Sequence, residues 1–426
     1  MLPLRAALRA AVLAALLISA ARACATDLDC HLNGVCAGGV CACDAAWLGA
    51  TCTTLNLLPS APGDGTCDAA RNGTARGYTT TWGGVPWRGS DGAWHLAASE
   101  MARHCGMCSW GSQSQIARWS APSLAGPYAR DGTAVGPFAH NAAAIAVPRD
   151  GGAYGGGFLL FHIGIGCDSV GVHACNYSRL PLCANGTTPS THTPSGGDEP
   201  TPPGLARAQL HVAADAGGPW LPAPAAWKTA YCSNNPAPLF LRNGSLMLVC
   251  HEPMAPGEVC AHSGGLSMAT SDGADWRTGN FTKQCLNLMN PTHTVGNVTF
   301  TAANEDPHLY EDARGNLHII THNQSPCYQN VSWFGADVRG CGAHFFSNDG
   351  GASWSFQWDH AVYNGTVLYT DGVRRTYKRE RPKLVQDADG SLIALATGIG
   401  VEIQDAFSAG NDSACTLVAL IARGAA

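Results

Sequence analysis

The chain has 426 residues with a net charge of −6 and a pI near 6, a balance that shows no basic stripe and argues against a nucleic-acid partner. Nineteen cysteines, together with Asn-x-Ser/Thr sequons such as those at Asn72, Asn176, Asn243 and Asn364, fit an oxidising, glycosylating pathway. Cys105 and Cys108 form a C-x-x-C, but no βαβ pattern surrounds them and no second ligand pair stands at zinc spacing. Neither a metal nor a cofactor is expected.

Residues 1–23 read as a signal peptide: Arg5 and Arg9 give a basic start, Ala10 to Ala20 is apolar, and Ala21-Arg22-Ala23 is a small-x-small cleavage site. A secreted, extracellular protein is expected. The apolar run is too short to span a membrane, and no other run is longer, so no membrane span is expected. Six cysteines follow at once, Cys24, Cys30, Cys36, Cys41, Cys43 and Cys52, the last three in the pattern C-x-C-x5-G-x2-C with Gly49 in place. Spacing alone leaves fifteen pairings open. Residues 24–52 resemble an EGF-like domain, and the resemblance implies Cys24–Cys36, Cys30–Cys41 and Cys43–Cys52. A unit this small is held by bridges in place of a core. It reads either as an adhesion or spacer module with a cell-surface or matrix partner, or as a structural cap. Residues 53–76, with Pro, Gly and Ser, read as a linker.

The stretch Asn304 to Asn323, NEDPHLYEDARGNLHIITHN, sets the pattern for the remainder. Two carboxylates precede Pro307, an apolar pair follows, a turn forms around Arg314-Gly315, and a β-branched run closes a hairpin. The same sentence recurs at Asn234 and Arg379, and in each copy the proline and the turn glycine are eight residues apart (Pro236–Gly244, Pro307–Gly315, Pro382–Gly390). Gly84 to Gly92 keeps that register upstream, and a looser copy begins at His140-Asn141, making five. Interleaved segments such as LHVAADAGGPW and HFFSNDGGASW supply a further strand, a turn and an aromatic residue. Repeats built only of strands and turns predict an all-β, five-bladed propeller over residues 77–426. The last strand, Thr416 to Ile421, is expected to pair into a blade begun elsewhere in the chain. Residues 184–203, polar and Pro-rich, read as an insertion between blades two and three.

Because inner strands of a propeller start near its axis, five polar slots converge: Trp82-Gly83, His140-Asn141, Asn234-Asn235, Glu305-Asp306 and Glu380-Arg381. With EDPHLYEDARGNLH and the GPY and GPW corners at Gly126 and Gly218, this pattern resembles the five-bladed propellers of glycoside hydrolase family 43 and its arabinanase, xylosidase, levansucrase and invertase relatives. The resemblance implies hydrolysis of a glycosidic bond by an acid, a base and a third carboxylate tuning the acid. Carried over by register, the acid is Glu305, the base position holds Gly83, and the tuning position holds Asn235. Asp306 and Glu380 are then the remaining catalytic candidates, with Glu100 behind them. Trp82, His140, Asn141, Asn235, Arg379 and Arg381 are expected to contact a polysaccharide or glycan, the arginines taking a carboxylate or sulfate substituent. Glycan binding without turnover, or a salt-bridged plug, are the other readings. Glu305 is expected to hold its proton near neutrality, with Asp306 ionised. A rival signal, Ser347 to Trp354, fits the Asp-box of sialidases, which there is a turn remote from the site.

Overall fold

A computed structural model of the chain describes residues 24–68, 79–107, 110–149, 155–164, 166, 208–224, 227, 232, 234–251, 266–272, 275–277, 280–286, 292–295, 298–301, 304–323, 340–358, 360–400 and 413–423. The expected signal peptide, the end of the expected linker (69–76) and the insertion at 184–203 lie outside the described residues. Five antiparallel sheets follow one another, each opening with an inner strand: Thr81–Arg88, His140–Ala146, Asn234–Phe240, Asn304–Glu311 and Lys378–Gln386. The inner strands pack side by side in chain order and the fifth packs against the first, so a ring of five blades closes. Each inner hairpin turns on a left-handed glycine, Gly92, Gly156, Gly244, Gly315 or Gly390, where a side chain would be strained.

The core is a set of apolar wedges between neighbouring blades, a direct product of strand alternation. Leu159 faces the wedge between blades two and three while its neighbour Leu160 faces the one between blades one and two. Ile319 and Ile320 divide in the same way, toward blade three and toward blade five. Trp119, 2% exposed, fills the wedge between blades five and one with Val418.

The last strand differs from expectation. Ala414–Leu420 pairs with Leu392–Gly400 and is the third strand of blade five, begun immediately before it. The ring closes through side-chain packing of inner strands, so no strand has to be exchanged between blades. The free edge of that last strand is met by residues 56–67: Leu58 N donates to Leu420 O at 2.8 Å, Thr66 N to Thr416 O at 2.9 Å, and Cys67 is bridged to Cys415. This segment protects an otherwise open sheet edge. Among the described residues no helix is long and apolar enough to cross a membrane.

The EGF-like module carries the bridges Cys24–Cys36, Cys30–Cys41 and Cys43–Cys52. It sits on blades four and five. Trp47 and Leu55 join Tyr310, Val362 and Leu395 in one apolar cluster, and Arg314 donates to both Asp44 carboxylate oxygens at 2.9 and 2.7 Å. Replacing Cys67 and Cys415 together by Ser releases a loop of sequence separation 348. Chemical denaturation should then show a loss of about 2–5 kcal/mol; an unchanged midpoint would mean that hydrogen bonds alone hold the edge.

Candidate active site on the propeller axis

Every inner strand carries the same backbone irregularity at its slot. The second slot residues Gly83, Asn141, Asn235, Asp306 and Arg381 are all left-handed, with φ of 66, 60, 47, 56 and 56°. The hydrogen-bond register between first and second strands shifts beside each one. Such a bulge interrupts the alternation of side chains and re-aims one of them. Here the re-aimed groups meet across blades. The Asn141 amide donates to Asn235 Oδ1, Asn235 Nδ2 donates to Asp306 Oδ1 at 2.8 Å, and Arg381 Nη1 stands 3.1 Å from the same oxygen. Four side chains from four blades form a chain of bonds around the axis.

Gly83 completes the ring with no side chain at all. A Cβ on it would lie 3.0 Å from Arg381 Cδ and 3.1 Å from Arg381 Cβ, on a backbone of positive φ. Arg381 thus fills the space where the family resemblance puts a base, which explains in steric terms why no carboxylate stands there.

The first slot residues form a second layer. Trp82 is buried and packs on blade five, where a Cβ at Gly398 would fall 2.6 Å from its ring. His140 is buried, shares a 2.6 Å hydrogen bond with Ser114 Oγ through Nδ1 and lies 5.1 Å from the Trp110 ring. Burial, then the nearby Arg381 charge, keep its imidazole neutral.

Glu305 and Glu380 differ sharply in environment. Burial and the neighbouring Asp306 push the Glu305 carboxyl up to about 8, against the pull of Arg381. Burial alone would raise Glu380 too. His322 and the Lys378 ammonium, whose Nζ is 2.8 Å from Oε1, outweigh it and hold Glu380 below its usual range. Burial also drives His322 toward its neutral form, leaving Lys378 as the standing cation. The axis therefore holds one carboxyl that keeps its proton at neutrality and one that does not.

Other sequence candidates lie elsewhere. Arg379, 1% exposed, donates through Nε to Thr397 Oγ1 at 3.0 Å, and its guanidinium lies 5.0 Å from the Tyr363 ring centroid. Burial lowers it to about 10. Glu100 is tied within blade one to Arg130, at 2.7 Å, and to Gln115. The Ser347–Trp354 turn links the third and fourth strands of blade four, with Ser347 Oγ bonded to Asp349 at 2.7 Å. His322 was not singled out from the sequence, yet it pairs directly opposite Glu305 and its Nε2 is 3.8 Å from Glu380. Folding the hairpin about Gly315 and counting back identifies it. Lys383 is a second such group: buried, lowered to about 8 by that burial, with Nζ donating to Pro307 O at 2.7 Å.

Ligand atoms of Glu305, Asp306 and His322 all lie within 4.8 Å of one another. As charged here the trio suits a cation poorly, because Arg381 already neutralises Asp306 and Glu305 favours its proton.

Comparison with known proteins matches residues 24–52 to the EGF-like domain model. No curated protein matches the chain. Similar solved structures include an endo-arabinase from Bacteroides thetaiotaomicron, 10% identical, covering 80% of this chain and 94% of that one with a TM-score of 0.44. A thermostable family-43 glycoside hydrolase is 10% identical over 81% of this chain and 90% of its own, TM-score 0.44. An exo-β-1,3-galactanase from Phanerochaete chrysosporium, solved with galactose, is 9% identical over 86% and 64%, TM-score 0.45.

Two measurements probe this electrostatic arrangement. Replacing Arg381 by Met leaves Asp306 buried without its cation and should cost about 3–5 kcal/mol in chemical denaturation; a loss under about 1 kcal/mol would make the pair incidental. Glu305 has its folded value above the unfolded one, so its contribution is complete below the model-peptide value of 4.5 and is lost as pH rises to about 8. The Glu305→Gln variant should therefore gain in melting temperature relative to the parent across that window, and a difference independent of pH would contradict the shift.

Proposed function

We propose that the chain is a secreted glycoside hydrolase acting on a polysaccharide or glycan, with Glu305 as general acid. One observation carries the reading. Two carboxyl groups at one end of the axis are pushed in opposite directions, Glu305 up by burial and Asp306, Glu380 down against its own burial, with Lys378 as its standing cation. Glycosidic cleavage needs that division: one carboxylic acid to protonate the leaving oxygen and one carboxylate to act as base, nucleophile or stabiliser. Glu380 takes the ionised role. Asp306, fixed by Asn235 and Arg381, is a positioning group that also repels charge on Glu305. Trp82, Asn141, Asn235 and Arg381 line the axial cavity toward which a sugar would bind, and His140 supports them from behind. Export through the expected signal peptide at 1–23 and the nine Asn-x-Ser/Thr motifs are not needed for the chemistry, but an oxidising destination suits the three bridges of the EGF-like module. A cell-surface or matrix partner for the module's outer face belongs to the same proposal.

A second reading, glycan binding without turnover, is favoured by Gly83 and Asn235, which stand where the family resemblance puts a base and a tuning aspartate. A panel of arylglycosides and plant and algal polysaccharides separates the two. The parent should release products, with a rate that falls as pH rises through about 8, where Glu305 loses its proton. Glu305→Gln should abolish release while leaving binding intact. Binding on a glycan array with no product from the parent would establish the second reading instead.

A further inference from the structure

The hairpin turns of blades four and five, at the far ends of their inner strands from the slots, face the EGF-like module across a cleft of about 450 Å³. Asp306 and Asp312 are six residues apart in sequence, about 20 Å at ~3.3 Å per extended residue, so the cleft is separate from the axial site. Its volume is that of a small-molecule site. Both modules wall it, and Arg314 braces them: it bonds Asp44 and the Leu32 carbonyl of the module and stands 3.1 Å from Asp312 of the propeller.

Two side chains in the lining are almost wholly buried and hold a polar atom with no hydrogen-bond partner among the described residues. These are Asn33, 1% exposed, through Oδ1, and Tyr310, 3% exposed, through Oη. Buried polar atoms are rarely left in that state, and each such atom in a cleft marks a place for a ligand group. The rim supplies the charge. Arg314 is paired with Asp44 and Asp312, and Arg423 with Asp387 at 3.0 Å. Asp389, exposed at the turn, accepts from the Ser391 backbone N–H at 2.9 Å and from the Ser391 side chain, and feels the Arg423 charge, which is itself paired with Asp387. Both rim cations are thus engaged, and the four rim carboxylates, Asp44, Asp312, Asp387 and Asp389, outnumber them. An anion gains nothing there; a ligand rich in hydroxyl or ammonium donors does.

We propose that this cleft binds a single sugar unit carrying hydroxyl and amino groups, received by Asp389 at the rim and by Asn33 and Tyr310 at the floor. The choice of a sugar among donor-rich polyols rests on the carbohydrate reading of the axis; the donor and charge preference does not. Calorimetric titration of the full chain with glucosamine, glucose and glucuronate tests it. Glucosamine should bind tightest and glucuronate not measurably. Asp389→Asn, a change at an exposed turn, should weaken glucosamine by about tenfold, and Glu305→Gln should leave that affinity unchanged. A protein inactive on every glycoside that still binds glucosamine through Asp389 would remove the enzyme reading and keep this site. Equal affinity for the three sugars, binding by none of them, or a glucosamine isotherm untouched by Asp389→Asn would overturn it.

Discussion

One left-handed residue in the inner strand of every blade governs the centre of this molecule. An L-residue in that conformation costs roughly 1–2 kcal/mol, and here it recurs at Asn141, Asn235, Asp306 and Arg381. Asn and Asp tolerate it best, which accounts for three of the four. The strain is offset because the bulge turns each side chain toward the axis, where the groups bond one another instead of facing water or apolar core. Gly83 is the fifth member, and its missing side chain is what lets the Arg381 stem cross to Asp306.

Charge around that ring is distributed unevenly. Asp306 has Arg381 and Glu380 has Lys378, while Glu305 lies beside a carboxylate in a buried setting. Two like charges so close are expensive where water is excluded, so burial and Asp306 keep the proton on Glu305 against the pull of Arg381 and Lys378.

The EGF-like module is part of this architecture. Rings of Trp47, His344, His318 and Tyr310 stack in sequence, with centroids 5.6, 5.2 and 4.7 Å apart, from the module into blade four. The buried imidazoles are bonded to each other at 2.9 Å and end on Asp312. Burial favours their neutral forms, the state in which one ring can donate and the other accept. A tether that leaves its partner free would not bury groups of this kind.

The inner hairpins were legible in the sequence because what makes them is local: alternation, a turn glycine and, in three of the five, a proline at the slot eight residues before it. The slots followed from the same count. What depended on packing did not follow. Arg379 and Arg381 are two apart, so a regular strand would put them on one face; the left-handed backbone at 381 separates them, one to the axis and one under Tyr363. The partner of the last strand was likewise a matter of tertiary choice between edges of similar composition. His322 and Lys383 read as ordinary strand residues until the register of the hairpin and the neighbouring blade place them. The central claim, that the axis keeps Glu305 protonated beside an ionised Glu380, is tested most directly by carbon-detected NMR of the Glu305 side-chain carboxyl across a pH series. The account predicts a midpoint near 8; a midpoint at the ordinary glutamate value of about 4.3 would contradict it.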